Sequence, residues 1–171
     1  MASLVVSLAG MDRPGLVNSL SVRIAAMGGS WLESRLAHLA GVFAGIVLVR
    51  VADEQAEALA ASLAALSGEG LTVQVLPGAA PAPPAREMTF ELVGNDRPGI
   101  VREVTETLRG LGANIEEFSS HIQSAPFTGA EMFRALIRLG LPAGLSIHDV
   151  RAALESLTAE FMVDITEPEA V

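Results

Sequence analysis

The sequence contains no cysteine, no lysine and no tyrosine. Without cysteine the chain can form no disulfide, no thiolate nucleophile and no cysteine-ligated zinc site. Without lysine it can form no Schiff base and has no phosphate-loop lysine. Only 11 basic residues stand against 20 acidic ones, which gives a formal net charge of −9. Direct binding to nucleic acid needs clustered cations, so this balance argues against it.

The sequence also lacks a hydrophobic run long enough to cross a membrane. The longest apolar stretch, residues 36–49, is shorter than the roughly 20 residues of a membrane-spanning helix. It contains His38 and two glycines, and it reads better as two buried strands joined by a turn at Gly41. The N-terminal segment has neither the basic start nor the cleavage site of a signal peptide. We therefore expect a cytoplasmic protein that does not enter a membrane.

What the sequence does contain is an internal repeat. Residues 10–17 read GMDRPGLV, and residues 94–101, 84 positions later, read GNDRPGIV. Alternating apolar residues precede both motifs, and apolar residues at helical spacing follow both, with the same offset. These patterns predict the same buried strand face and the same amphipathic helix twice. We call the two repeats copy one and copy two.

A proline-rich segment separates the copies. Residues 77–85 read PGAAPAPPA, which holds four of the nine prolines and no charge. This composition favours a semi-extended linker. We predict a first domain at residues 1–77, a linker at residues 78–86 and a second domain at residues 87–171. Each copy is small for an independent core and leaves strand edges uncovered, so we expect a homodimer.

Each copy is predicted to fold in the order βαββαβ. In copy one we predict strands at residues 3–9, 31–38, 42–51 and 71–76 and helices at 14–27 and 53–66. In copy two we predict strands at residues 87–93, 114–123, 131–139 and 161–166 and helices at 98–111 and 146–158. Two βαβ crossovers joined by a hairpin give an antiparallel sheet with both helices on one face. The fold class is therefore α+β, with two ferredoxin-like domains.

The shared motif forms the predicted turn from the first strand into the first helix, and we call it the DRPG turn (residues 12–15 and 96–99). One interpretation is purely structural. Asp12 and Asp96 would cap the helix by accepting from its free N–H groups, and the prolines would open its first turn.

The glycines of the DRPG turn fit that interpretation less well. Gly15 and Gly99 are predicted to lie inside the first helical turn, where glycine costs about 1 kcal/mol relative to alanine. Glycine is useful where another group approaches the backbone closely. A helix N-terminus attracts a carboxylate and an aspartate attracts an ammonium, so the turn also suits a free α-amino acid.

The order of elements, the DRPG turn and the sequence GANI at residues 112–115 together resemble the ACT domain family. The resemblance covers nearly the whole chain, twice. It implies regulatory domains that bind amino acids at the interface of two such domains, through the turn after the first strand and the start of the second strand. In copy two the implied ligand-binding residues are Asn95, Asp96, Gly99, Asn114 and Ile115.

Copy one departs from this pattern. Asp12 and Gly15 are retained, but residues 28–31 read GGSW, so that Ser30 and Trp31 replace the asparagine and isoleucine of copy two. We therefore expect copy two to hold the principal ligand site.

A tandem pair of ACT domains of this length resembles the glycine cleavage system transcriptional repressor family. The resemblance implies a non-enzymatic protein that senses a small, glycine-like amino acid and acts on a DNA-bound transcription regulator. It requires no cofactor and no metal, and the three histidines show no metal-ligand spacing. The alternatives are a regulatory subunit of an amino-acid metabolic enzyme and a purely structural dimer module with an empty site.

Overall fold

A computed structural model of the chain describes residues 1–79, 86–125, 129–157 and 162–166. The chain divides into two compact units, Met1–Pro81 and Ala82–Val171, which contain copy one and copy two. The domain boundaries remain a prediction, because linker residues 80–85 lie outside the described residues.

Copy one forms a four-stranded antiparallel sheet in the order β2-β3-β1-β4. Its elements are β1 (Ala2–Met11), α1 (Leu16–Ala26), β2 (Ser30–Leu39), β3 (Val42–Val51), α2 (Ala56–Ala64) and β4 (Leu71–Pro77). Short 3-10 turns, Asp53–Gln55 and Ala65–Glu69, flank α2.

Copy two repeats this topology, with the strand order β6-β7-β5-β8. Its elements are β5 (Arg86–Asn95), α3 (Ile100–Gly110), β6 (Asn114–Ser124), β7 (Glu131–Leu141), α4 (Ile147–Glu155) and β8 (Met162–Thr166). The predicted pair of ferredoxin-like α+β domains is confirmed. The connection between the middle strands of copy two includes residues 126–128, which lie outside the described residues. The predicted end of its second helix at residue 158 and the predicted start of its last strand at residue 161 also lie outside them.

The repeated sequence patterns form the two cores. In copy one, alternate residues of β1 and one stripe of α1 are buried: Leu4, Val6, Leu8, Leu16, Leu20 and Ile24. In copy two, their counterparts on β5 and α3 are buried: Met88, Phe90, Leu92, Ile100, Val104 and Leu108. Within the described ranges, no polar or charged residue is buried. Each sheet therefore has one face that packs on its helices, and we call the opposite face the outer face.

Helix α4 begins with a capping box. The Asp149 N–H donates to the Ser146 hydroxyl at 3.1 Å, and the Ser146 N–H donates to the Asp149 carboxylate at 3.2 Å. The Ser146 hydroxyl also donates to that carboxylate at 2.6 Å. These hydrogen bonds from Ser146 lower the pKa of Asp149 below its ordinary value of 3.8.

We expect Ser146→Ala to lower the free energy of unfolding by about 1 kcal/mol at neutral pH. Because the pKa of Asp149 is lowered in the folded state, its share of this stabilisation is present above the ordinary carboxyl pKa and is lost as the pH falls through the lowered value. Denaturant unfolding should therefore show the difference between wild type and variant shrinking in acid. The control is Ser156→Ala, which removes a hydroxyl that donates to the Ala153 carbonyl at 2.7 Å. If the loss of unfolding free energy caused by Ser146→Ala were as independent of pH as the loss caused by Ser156→Ala, the assigned role of Asp149 in the capping box would be contradicted.

Candidate functional site

The DRPG turn connects the first strand of each copy to its first helix through a left-handed glycine. Helix α1 begins at Leu16, directly after Gly15 at φ 94°, and α3 begins at Ile100, directly after Gly99 at φ 89°. A Cβ atom makes this conformation unfavourable, and glycine adopts it readily. The predicted position of these glycines inside the first helical turn is therefore wrong, because they precede the helix and their conformation explains them.

The predicted capping by Asp12 and Asp96 is also wrong. The left-handed glycine occupies the N-cap position in both copies, and neither helix has a side-chain hydrogen bond at its N-cap. The aspartates instead anchor the turn through their backbone. The Asp12 N–H donates to the Gly41 carbonyl at 2.9 Å, and the Asp96 N–H donates to the Glu131 carbonyl at 2.9 Å. Each turn is thus fastened to the beginning of the third strand of its copy.

The space in front of both glycines is open. A Cβ atom added to Gly15 would meet no atom of the described residues within 4 Å, and one added to Gly99 would come no closer than 4.0 Å to the Glu103 Oε1 atom. Close packing within the chain therefore does not account for the glycines. No side chain caps the N–H groups at the start of either helix, although the Ile100 N–H of copy two donates to the Arg97 carbonyl at 3.3 Å. The open space in front of each glycine thus leaves room for a small group to approach the helix start.

In copy one this open space is a cleft of about 240 Å³. The cleft is lined by Asp12, Arg13, Gly15, Leu16, Val17, Asn18 and Phe43. Pockets for drug-sized ligands run from about 300 to 1,000 Å³, so this volume suits a smaller molecule.

Charges of both signs surround the cleft. The Asp12 carboxylate lies 3.8 Å from the Nε2 atom of His38, and both side chains are about half exposed. The Arg13 Nη2 atom donates to the Glu69 carbonyl at 2.7 Å. The first turn of α1 contains no acidic residue, so its positive end is not offset by a carboxylate of its own. A carboxylate, a guanidinium and an uncapped helix end suit a zwitterion.

The sequence analysis did not find Asn18, Phe43 or His38 as neighbours of this turn. The available signal was the hairpin predicted around Gly41, which places His38 opposite Phe43. Their position beside Asp12 depends in addition on the pairing of β1 with β3, and the sequence pattern does not contain that pairing.

The turn in copy two carries a different set of contacts. The Arg97 guanidinium binds both oxygens of the Glu103 carboxylate, at 2.8 and 2.5 Å. Hydrogen bonding from Arg97 lowers the pKa of Glu103 below its ordinary value. Copy one has Ser19 at the matching position, so only α3 of these two helices carries an acidic residue in its first turn. The N-terminus of α1 is therefore the less neutralised of the two.

The ligand-binding residues implied for copy two lie at two ends of its sheet. Asn95 pairs with Met132 at one end, and Asn114 pairs with Gly140 at the other. Gly140 also pairs with Glu87, eight residues before Asn95 on β5. At about 3.3 Å per residue, the two ends are about 26 Å apart. Asp96 and Gly99 thus lie near Asn95, whereas Asn114 and Ile115 do not.

At the end of the copy-two sheet opposite Asn95, the side chains of Asn114 and Ile115 make different contacts. Asn114 is exposed, and its amide donates to the Glu116 Oε1 atom at 2.6 Å. Ile115 is half-buried and packs against the core of copy two. In copy one Trp31 packs against the core in the same way, and Ser30 is exposed.

In residues 1–79, 86–125, 129–157 and 162–166, no three His, Asp or Glu side chains group as metal ligands would. Within those same ranges no helix is both long enough and apolar enough to span a bilayer.

Comparison with known proteins gives matches over one copy and over the whole chain. Residues 2–75 match the sequence model of the ACT domain family. The chain is 28% identical over 161 residues to the glycine cleavage system transcriptional repressor of Escherichia coli (strain K12), covering 92% of this chain and 84% of that protein.

Two solved structures match over 98% of both chains. An unknown protein from Galdieria sulphuraria is 32% identical and has a TM-score of 0.84. A protein provisionally described as a glycine cleavage system transcriptional repressor is 16% identical and has a TM-score of 0.73, which shows a shared fold.

The left-handed glycine predicts a stability effect that depends on conformation alone. We expect Gly15→Ala to lower the free energy of unfolding by about 1 kcal/mol, because a Cβ atom is strained at this φ although the space around it is open. Gly15→Asn should cost less, since asparagine tolerates the left-handed region better. Chemical denaturation of each variant measures these differences.

The matched control is Gly68→Ala. A Cβ atom there would also meet no described atom within 4 Å, but Gly68 does not have a left-handed φ. Gly68→Ala should leave the stability unchanged or raise it by a few tenths of a kcal/mol. Equal losses at Gly15 and Gly68 would show that the left-handed conformation is not what requires glycine.

Proposed function

We propose that this chain, a tandem ACT-domain protein similar to the glycine cleavage system transcriptional repressors, is a non-enzymatic regulator that binds a small, glycine-like amino acid. Binding would alter its contact with a partner transcription regulator. The observation that carries the proposal is the DRPG turn of copy one, where an uncapped helix N-terminus, the Asp12 carboxylate and the Arg13 guanidinium border one small cleft.

The chemistry of the turn matches both ends of a free amino acid. The ligand carboxylate would accept from the N–H groups that follow Gly15 or Gly99, where the helix dipole favours negative charge. The ligand ammonium would donate to Asp12 or Asp96 in a charge-assisted hydrogen bond. Asn95 would add a polar contact in copy two.

The separation of the two residue sets bears on where the ligand lies. Asn114 and Ile115 are about a strand length from Asp96 and Gly99, so one small ligand cannot touch both sets within a single domain. Asn114 and Ile115 would therefore contribute only to a ligand that also contacts a second ACT domain, as the resemblance to that family implies.

A thermal-shift screen of the twenty amino acids tests ligand binding directly. A ligand at about 100 times its dissociation constant adds roughly 2.7 kcal/mol to folding stability. We expect glycine or another amino acid with a small side chain to raise the melting temperature, and amino acids with large side chains to have no effect. If none of the twenty raised it, the sensor function would be contradicted.

Calorimetric titration of paired variants then identifies the copy that binds. The sequence predicts that Asp96→Ala and Asn114→Ala weaken binding, whereas Asp12→Ala and Ser30→Ala leave it intact. The cleft at the copy-one turn supports the opposite ranking, in which Asp12→Ala weakens binding at least as much as Asp96→Ala. Loss of a charge-assisted hydrogen bond worth roughly 1.5–3 kcal/mol lowers the affinity about 10- to 150-fold. The control variant is Asp53→Ala, because Asp53 is exposed and follows the end of β3 that is opposite the copy-one DRPG turn. If neither Asp12→Ala nor Asp96→Ala weakened binding more than the control, the DRPG turns would not be the site.

Affinity capture tests the proposed partner. The full chain, immobilised with and without the amino acid from the thermal screen, should retain a DNA-binding transcription regulator whose recovery depends on that amino acid. The control bait is whichever aspartate variant has lost affinity for the ligand. Ligand-dependent retention of an amino-acid metabolic enzyme would instead support a regulatory subunit.

A further inference from the structure

The outer face of copy one is unusually apolar for a surface exposed to water. Large hydrophobic side chains stand on this face with much of their surface exposed: Met11 (71%), Leu39 (79%), Val42 (40%), Ile46 (49%) and Leu76 (47%). The strand register groups them, because Val42 pairs with both Met11 and Leu39, and Val5 pairs with both Leu76 and Leu48. Ile46 lies on β3 between these two groups. Contiguous apolar patches of this kind mark surfaces that bind another molecule.

Copy two provides an internal comparison, since it has the same topology and a charged outer face. Arg134 pairs there with Glu91, and Arg138 lies 3.4 Å from Glu87 and 3.3 Å from Glu117. These ion pairs keep the face compatible with water.

Four of the five matching positions in copy one carry no charge, and the fifth, Glu33 in place of Glu117, lies on edge strand β2. By register, Ser7 stands where copy two has Glu91, Ala44 where it has Arg134, and Leu48 where it has Arg138. The two copies thus keep the same core pattern and differ in what their outer faces can contact.

The charges that copy one does place on this face lie at its margins. Glu33 and Arg35 are on edge strand β2, and their side chains pair at 2.8 Å. Arg50 pairs in register with Ser3, near the start of β1. The centre of the face can therefore be buried without removing an unpaired charge from water.

We propose that two copies of this chain pair through the outer faces of copy one, sheet against sheet. A surface that is apolar at its centre and charged only at its margins is complementary to itself across a two-fold axis. Sheets pack in this manner about 10 Å apart, with their side chains interdigitating. A charged partner surface fits less well, because its ion pairs would lose their hydration.

The size of the face agrees with a dimer. Four strands about 4.8 Å apart make it about 19 Å wide, and ten residues at about 3.3 Å make it about 33 Å long. The flat area is therefore about 630 Å², and side-chain relief raises the accessible area above that figure. A stable interface of standard size buries about 800 Å² on each partner.

The test is sedimentation equilibrium of the full chain and of two matched variants. The wild type should sediment as a dimer of the 17.8 kDa chain. Ile46→Glu places a charge at the centre of the copy-one face and should raise the dimer dissociation constant at least about 10-fold, as the loss of about 1.4 kcal/mol does. The control is Leu136→Glu, at the matching position in copy two with nearly the same exposure (51% against 49%), and it should sediment as the wild type does.

A second variant guards against misfolding. If circular dichroism shows that Ile46→Glu unfolds, Met11→Asn combined with Leu39→Gln replaces it, since copy two carries Asn95 and Gln123 at these positions. A wild-type monomer would overturn the proposal, as would a dimer that withstands the copy-one variant or dissociates equally with Leu136→Glu. The measurement is made without amino acid, so its outcome is independent of the proposed sensing.

Discussion

The left-handed conformation of Gly15 and Gly99 determines how each copy passes from its first strand to its first helix. The glycine takes the N-cap position, so the preceding aspartate is displaced from it and fastens the turn to the third strand through its own N–H. The helix consequently starts without a side-chain cap, and the absent Cβ leaves the space in front of it open. The conformation that the fold requires thus also produces a surface that attracts anions.

Duplication has kept this turn and changed its surroundings. In copy two Arg97 holds Glu103 beside the first turn of α3, whereas Arg13 of copy one reaches the Glu69 carbonyl and α1 has no acidic residue in its first turn. The outer faces differ in the same way, with ion pairs in copy two and apolar side chains in copy one. These changes lie on the surface, where they cost the core nothing, and they give two domains of one topology different surfaces for binding.

Much of the fold could be predicted because strand alternation and helix stripes depend on local sequence. The strand predicted at residues 42–51 agrees with Val42–Val51, and the helix predicted at 14–27 begins two residues later, at Leu16. This difference of two residues arises because a proline followed by a glycine is compatible with a helix that starts at the proline. The same two residues are also compatible with a left-handed turn that precedes the helix. The separation of Asn114 from Asp96 is contained in the predicted topology, since a crossover returns the chain to the end where the first strand began, but the family resemblance had grouped the two residues in one site. The contact of His38 with Asp12 depends on the pairing of β1 with β3, which no local pattern contains.

We propose that the open helix N-terminus after a left-handed glycine binds the amino acid. Two-dimensional ¹⁵N–¹H correlation spectra, recorded during titration with glycine or with the amino acid found in the thermal screen, test this binding residue by residue. The amide signals of residues 15–18 or 99–102 should shift in a saturable manner. A control amide at mid-sheet, such as that of Val47 in the core, should stay in place. Saturable binding that leaves both helix starts unperturbed would contradict the account.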